Sequence, residues 1–245
     1  MSSQGDPEEL TDSLTGLARV LISKESVEST TQRIAELAVK LVNGGDYAGI
    51  SLVRRGEIKT LGATDQLVED LDSIQYQVGE GPCLSSIQEQ ESFQIDDMCA
   101  DTIWPDFSAR ACKLGVGGLM AFVLKVSDDS LGALNLYSRW PNSFHPEDRV
   151  TGALFATYAA IALANAQTHA RDVERVSELE HGLATRDVIG TALGIIMERD
   201  RRTSAQAFEF LRGESQRRNE KLRTIAAEIV LATERTFGAP ARSKK

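Results

Sequence analysis

The side chains with the most evident chemical use in this chain are cationic and fall close together. Arg199, Arg201 and Arg202 lie within four positions, and Arg212, Arg217, Arg218, Lys221 and Arg223 follow over the next few helical turns. Guanidinium groups at that density neutralise phosphates, and their flat faces stack on unpaired bases. Glu198, Asp200, Glu209, Glu214 and Glu220 are interleaved with them. By composition alone the same stretch therefore reads as a solvated, salt-bridged helical face, and both readings remain open at this level.

Other chemistries find less support. The sequence has no GxSxG elbow, phosphate-binding GxxxxGK[ST] loop or HExxH, and no GxGxxG between a strand and a helix. Asp96-Asp97 and Asp128-Asp129 are adjacent pairs; on a strand, neighbours point to opposite faces and cannot share one proton-transfer site. No catalytic residue is assigned, and the chain reads as a non-enzyme. His145, His169 and His181 are isolated, so no metal ligand set is expected. Cys83, Cys99 and Cys112 form an odd trio without CxxC spacing. That pattern argues against a disulfide framework or structural zinc and predicts reduced thiols in small, partly buried positions.

Charge divides the chain. Residues 1–169 carry 12 basic against 24 acidic side chains, and residues 170–245 carry 15 against 12. Any nucleic-acid contact is thus expected after about residue 170. A length of 245 residues, 42% apolar and 26% charged, suits two modest globular domains. Met1 to Leu10 show no leader pattern, so a cytoplasmic location is expected. The apolar stretch Ala153–Ala166 is interrupted by Thr157 and Tyr158, too short and mixed for a bilayer span, and reads as a buried helix face.

The elements that must hold these residues follow from periodicity. Leu10, Leu14, Leu17 and Leu21, with Thr11 and Ser13 near the start, predict an amphipathic helix. A second spans about Val27–Val42 with Ile34, Leu37, Ala38 and Leu41 on one face, stopped by Asn43-Gly44-Gly45. Tyr47–Val53 and Ile58–Leu61 read as a hairpin around Arg55-Gly56-Glu57. A helix over Asp65–Gln75 leads to the turn Gly79-Glu80-Gly81-Pro82-Cys83 and another short helix. Val116–Val126 and Leu131–Tyr137 form two strands joined at Ser127–Ser130. From Glu147 the chain reads as helical toward Met197, with Val173, Val176, Leu179 and Leu183 as a short coiled-coil seam that Gly182 weakens by roughly 1 kcal/mol relative to alanine. Ser204 to about Arg217, with Ala207, Phe208 and Leu211 inward, and Lys221 to about Thr236, with Leu222, Ile225, Ala226, Ile229 and Val230 inward, complete a three-helix unit.

The run from Leu183 through Arg186, Ile189, Ala192, Gly194 and Met197 to Arg199, followed by Ala205, Ala207-Phe208, Leu211-Arg212, Ser215–Asn219 and Leu222, resembles the ANTAR domain over about residues 177–237. The family often has lysine where this chain has Leu193, a departure at one expected phosphate contact. Upstream, Tyr76, Gly79–Cys83, Ile103-Trp104-Pro105, Phe107, Gly115-Val116 and Leu131–Tyr137 resemble the GAF domain that often precedes ANTAR in actinobacterial regulators, over roughly residues 10–168.

The joint resemblance implies an α+β fold: a GAF-like antiparallel sheet with flanking helices, a long connector helix, and an all-α three-helix ANTAR module. The expected division is a flexible start at 1–9, sensor at 10–168, helical connector at 169–182, RNA-binding domain at 183–237 and flexible tail at 238–245. It implies transcription antitermination, in which the helical domain grips a pair of RNA hairpins in a nascent leader transcript. The residues expected on RNA are Arg186, Arg199, Arg201, Arg202, Arg212, Arg217, Arg218, Asn219 and Lys221. Cys83, Trp104, Arg110, Asn135 and Tyr137 are the expected contacts of a small-molecule ligand in the sensor; its identity is open, and no cofactor or metal is assigned. A homodimer through the long helix is expected, with neither a membrane nor DNA as partner. The competing reading keeps the fold and gives the helical tail to dimerisation or protein docking without RNA.

Overall fold

The computed structural model describes residues 15–16, 18–23, 25–126 and 129–238. Leu10, Thr11, Ser13, Leu14 and Leu17 of the expected first helix, Ser127-Asp128, and the ends 1–9 and 239–245 lie outside the described residues. The chain divides into two compact units at Arg171/Asp172.

In the first unit, α1 (Val27–Leu41) begins where the Ser26 hydroxyl accepts from the Ser29 N–H, and it buries Ile34, Ala35 and Ala38. β1 (Tyr47–Arg54) and β2 (Glu57–Ala63) pair antiparallel around Arg55-Gly56. α2 (Gln66–Val78) is capped by the Asp65 carboxylate and stopped by Gly79 in the left-handed region. α3 (Pro82–Glu89), β3 (Phe93–Ile95) and α4 (Pro105–Lys113) lead to β4 (Gly118–Val126) and β5 (Asp129–Ser138). The five strands form one antiparallel sheet in the order β2-β1-β5-β4-β3.

Alternation along the strands assigns each side chain to one of two cores. Ala48, Ile50, Leu52, Met120, Phe122, Leu124, Leu134 and Leu136 face α1 and the start of α5 (Pro146–Asp200), where Phe155, Ala159, Ala160 and Leu163 are buried. Leu119, Ala121 and Tyr137 face the other way and pack with Val68 and Leu71 of α2 and with Trp104, Phe107 and Ala111 around α4. By length and composition an 18-residue window of α5 would suffice to cross a membrane, longer than the stretch read from the sequence, but 44% of that window is buried inside the protein. Its apolar character therefore has a use in the sheet packing.

Two sequence expectations are corrected in this fold. Cys99 and Cys112 are joined by a disulfide with Cα atoms 5.2 Å apart, whereas the spacing predicted reduced thiols. The chain returns on itself through the 96–104 loop and α4, a tertiary path that a spacing of 13 does not advertise. Only Cys83 is a free, buried cysteine. The second correction is Phe208, expected inward and found 41% exposed.

The second unit packs α5's end, α6 (Ser204–Arg218) and α7 (Leu222–Gly238) around Ala192, Ile196, Ala207, Leu211, Ile225 and Ala226. Thr203 and Gln206 form a reciprocal capping box at the start of α6. Asn219 ends that helix with φ 53°, a conformation asparagine tolerates better than most side chains. Phe210, rather than Phe208, packs at the rim of this core.

Candidate nucleic-acid interface and buried polar centre

All nine residues expected on RNA are exposed, but they do not converge on one spot. Arg199, Arg201 and Arg202 sit at the turn into α6. Arg217, Arg218, Asn219 and Lys221 sit at the turn out of it, a helix of 15 residues, or roughly 20 Å, further along. The cations thus fall into two groups at opposite ends of one helix, not close together in space, with Arg212 on the helix between them and Arg186 earlier on α5.

Every arginine of the two groups already meets a carboxylate. Arg199 donates to both oxygens of Asp200 at 2.8 and 3.0 Å; Arg202 lies 3.9 Å from the same group, and Arg201 3.4 Å from Glu198. Arg212 pairs with Glu209 at 2.9 Å and Arg217 with Glu214. Arg218 reaches Glu228 at 2.6 Å and Glu220 at 3.1 Å. The Glu228 carboxylate raises the Arg218 pKa further above its ordinary range, and Arg218 lowers that of Glu228. Asp200 is likewise lowered, chiefly by its hydrogen bond from Arg199. Among the described residues, Arg186 and Lys221 have no ion-pair partner.

The first turn offers more than charge. The Arg202 guanidinium lies over the Phe210 ring, 4.9 Å from its centroid. Arg201, Arg202, Ala205, Gln206, Glu209 and Phe210 line a cleft of about 580 Å³. A cationic rim beside an aromatic face suits a flat ring that carries a phosphate. Gly194 faces open space and lines a second cleft with Thr191, Ile195, Glu198, Arg199, Ala232 and Thr233.

In the sensor unit the structure brings Cys83, Asn135 and Tyr137 together around a residue that sequence reasoning misses. Asp72 of α2 is fully buried. It accepts from Tyr137 Oη at 2.6 Å, Thr60 Oγ1 at 2.7 Å, Ser51 Oγ at 3.0 Å and Asn135 Nδ2 at 3.2 Å. Burial raises its pKa, and these four donors oppose that rise. Tyr76 Oη donates to Ser51 Oγ at 2.9 Å, and Gln75 Oε1 accepts from the Cys83 N–H at 2.9 Å. Gly81, at φ 139°, lies so close to the Gln75 side chain that a Cβ there would collide with it. Burial, followed by the nearby Asp72 carboxylate, pushes the Cys83 thiol up to about 12. The Asn135 Oδ1 is buried without a partner among the described residues.

Trp104 stands beside this centre. It is buried, donates from Nε1 to Ser85 Oγ at 3.1 Å and meets Phe93 edge-on. Arg110 is exposed on α4 and makes no hydrogen bond to the cluster. Glu80, read as part of a turn, caps α4 by accepting from the Asp106 and Phe107 N–H groups at 2.7 and 3.0 Å. Asp72 had a sequence signal: Val68, Leu71, Asp72 and Gln75 share one helical face, and an acid on an otherwise apolar stripe marks a buried polar group.

Comparison with known proteins matches both units. The GAF domain model matches residues 24–164, and the ANTAR domain model matches residues 177–230. GAF domains are signal sensors, ANTAR domains are RNA-binding antitermination modules, and both are regulatory. No curated protein matches the chain. Among solved structures it is similar to the reduced form of fRMsr of Staphylococcus aureus, at 10% identity over 66% of this chain and 99% of that one, with TM-score 0.51. It is also similar to the chromophore-binding domain of an unusual bacteriophytochrome from R. palustris, at 9% identity over 69% and 64%, with TM-score 0.53. A third is the GAF domain of an Acinetobacter phosphoenolpyruvate-protein phosphotransferase, at 11% identity over 67% and 97%, with TM-score 0.48. At such identities the first two share a fold with this chain and nothing finer.

Proposed function

Because the chain belongs to the GAF family and carries an ANTAR domain behind its sensor, we propose that it is a signal-responsive, non-enzymatic regulator that binds paired hairpins in nascent leader transcripts and prevents transcription termination. The observation that carries this reading is the cleft at the α5–α6 turn, which Arg201 lines and where the Arg202 guanidinium lies over the Phe210 ring. An unpaired loop base slides onto such a surface while its phosphates meet the guanidinium groups. Arg217, Arg218, Asn219 and Lys221 at the far end of α6 serve a second stretch of backbone, and Arg186 and Arg212 extend the path.

The carboxylates already paired with these arginines do not oppose the reading. Exposed ion pairs contribute little to stability, so a polyanion that replaces the carboxylate gives up little and releases counterions. The signal enters at the sensor's polar centre, where Asn135 Oδ1 is the acceptor left open to a ligand donor, beside Cys83, Trp104 and Tyr137. The protein acts in the cytoplasm, where transcripts form, and pairs with a second copy through the long helix. Val173, Val176, Leu179 and Leu183 support that pairing, each more than half exposed on one seam. The same seam is what favours the second reading, a helical tail devoted to dimerisation.

Titration against a two-hairpin leader RNA, a scrambled-loop RNA and duplex DNA at low and moderate salt separates the two. Loop-dependent binding that the double substitution Arg217→Ala, Arg218→Ala weakens is the expected result. Equal, weak binding to all three nucleic acids would overturn it and leave the dimerisation reading.

A further inference from the structure

The Cys99–Cys112 bridge ties the loop after β3 to the end of α4. Cys99 is exposed in the loop after β3, and Cys112 is half-buried in the last turn of α4, packed at the edge of the core. Between them the chain carries Trp104 and Phe107, two aromatic side chains that pack in one core with Leu71 of α2 and Tyr137 of β5, on the side of the sheet that holds the polar centre. Met98, Trp104, Phe107 and Ala111 anchor the loop and α4 by apolar packing, and a small set of hydrogen bonds adds to it. Asp101 accepts from the Trp104 N–H at 3.0 Å and from Ser108 Oγ at 2.7 Å, Glu80 caps the helix, and the Met98 N–H donates to the Gly117 carbonyl at 2.8 Å. A helix of nine residues has little stability of its own. The bridge is thus the one covalent tie among the described residues on the cover of the sensor core.

A protein acting on nascent transcripts in the cytoplasm, the proposed function on which this step rests, works in a reducing compartment, where disulfides are typically transient and serve catalysis or redox sensing. We propose that Cys99 and Cys112 form a reversible dithiol–disulfide couple, exchanged with a dithiol reductant, and that opening it loosens the 96–113 segment over the polar centre. The steps balance. A thiolate of the dithiol attacks the exposed Cys99 Sγ, the S–S bond breaks, and Cys112 leaves as the thiolate and takes a proton. The second thiolate of the dithiol then attacks its own mixed-disulfide sulfur and releases Cys99. The protein pair gains two electrons and the dithiol becomes a disulfide. Cys83 stays out of the exchange because it is buried and its thiol resists ionisation.

The test uses the full chain equilibrated across ratios of reduced to oxidised dithiothreitol, trapped with iodoacetamide and read by mass. The expected result is one two-electron transition that adds an alkyl group at Cys99 and another at Cys112 and none at Cys83 in the folded protein. Hydrogen exchange in the 96–113 peptides should quicken about tenfold or more on reduction, while β1 and β5 keep their protection. Cys99→Ser, an exposed substitution, should show the faster exchange in every buffer. Free thiols at both positions in fully oxidised buffer would overturn the couple. A bridge whose opening leaves the 96–113 exchange unchanged would overturn the loosening. Neither outcome depends on RNA, so failure here and failure of the antitermination reading are separate events.

Discussion

The two units handle charge in opposite ways. In the sensor, the Asp72 carboxylate is enclosed and met by neutral donors from β1, β2 and β5. In the helical unit, Asp200, Glu209, Glu214, Glu220 and Glu228 meet arginines at the surface. An enclosed carboxylate is costly to ionise, and its state depends closely on the donors around it. An exposed pair is cheap to break. One unit is therefore suited to register a change in its core, and the other to exchange partners on its surface without unfolding.

The largest expected effect tests whether the two cores are separate. Phe122 is buried on the α1 side of the sheet, and Leu211 in the small helical core. Phe122→Ala should cost about 3–5 kcal/mol and Leu211→Ala about 2–5 kcal/mol. In urea unfolding followed by hydrogen exchange, each should advance the opening of its own unit and leave the other's midpoint in place. A single transition shifted equally by both substitutions would mean that the units share one cooperative core, and the comparison would fail.

How far these features are legible in the sequence depends on whether a local period carries them. The strands at Tyr47–Val53 and Val116–Val126 alternate, and α7 repeats Ile225, Ala226, Ile229 and Val230 at helical steps, so each is readable. β3 is three residues long and α4 owes its start to Glu80, an acceptor 26 residues from the Asp106 N–H it serves; neither leaves a local pattern. The arginine groups are visible as composition, and the helix read from Ser204 to about Arg217 already lies between them; what needs the tertiary fold is the pairing of Arg218 with Glu228 on α7. Phe208 shows the limit of apolarity as a guide: one step from Ala207, it points off the buried stripe. The Cys99–Cys112 pairing depends wholly on the tertiary path around α4.

A smaller effect probes the enclosed charge directly. Asp72 has its pKa raised by burial, so the folded state binds the proton more tightly than the unfolded chain. Stability from this group is then fullest below the unfolded carboxyl pKa of about 3.9 and declines as pH rises toward the folded value. Asp72→Asn removes the titration, and its amide can donate to Asn135 Oδ1 if the Asn135 amide turns over. The variant should gain thermal stability relative to the parent as pH rises above the unfolded carboxyl value of about 3.9, measured as the difference in Tm at each pH. A difference that is constant with pH would show that folding does not change how tightly this carboxyl holds its proton.

The smallest expected effect on stability falls at Arg218, which bridges from the end of α6 to Glu228 on α7. The pair is exposed, so water and salt already screen it, and Arg218→Ala should leave the unfolding midpoint nearly unmoved. On RNA the same substitution should weaken binding and reduce the slope of log affinity against log salt by about 0.7 to 0.9 if one phosphate contact is lost. Arg218→Lys should recover much of the slope and less of the affinity, because a lysine keeps the charge without the forked geometry. A large fall in stability with an unchanged salt slope would reverse the assignment. Arg218 would then be a strap between two helices, and the surface of this unit would hold its fold together much as the core of the other does.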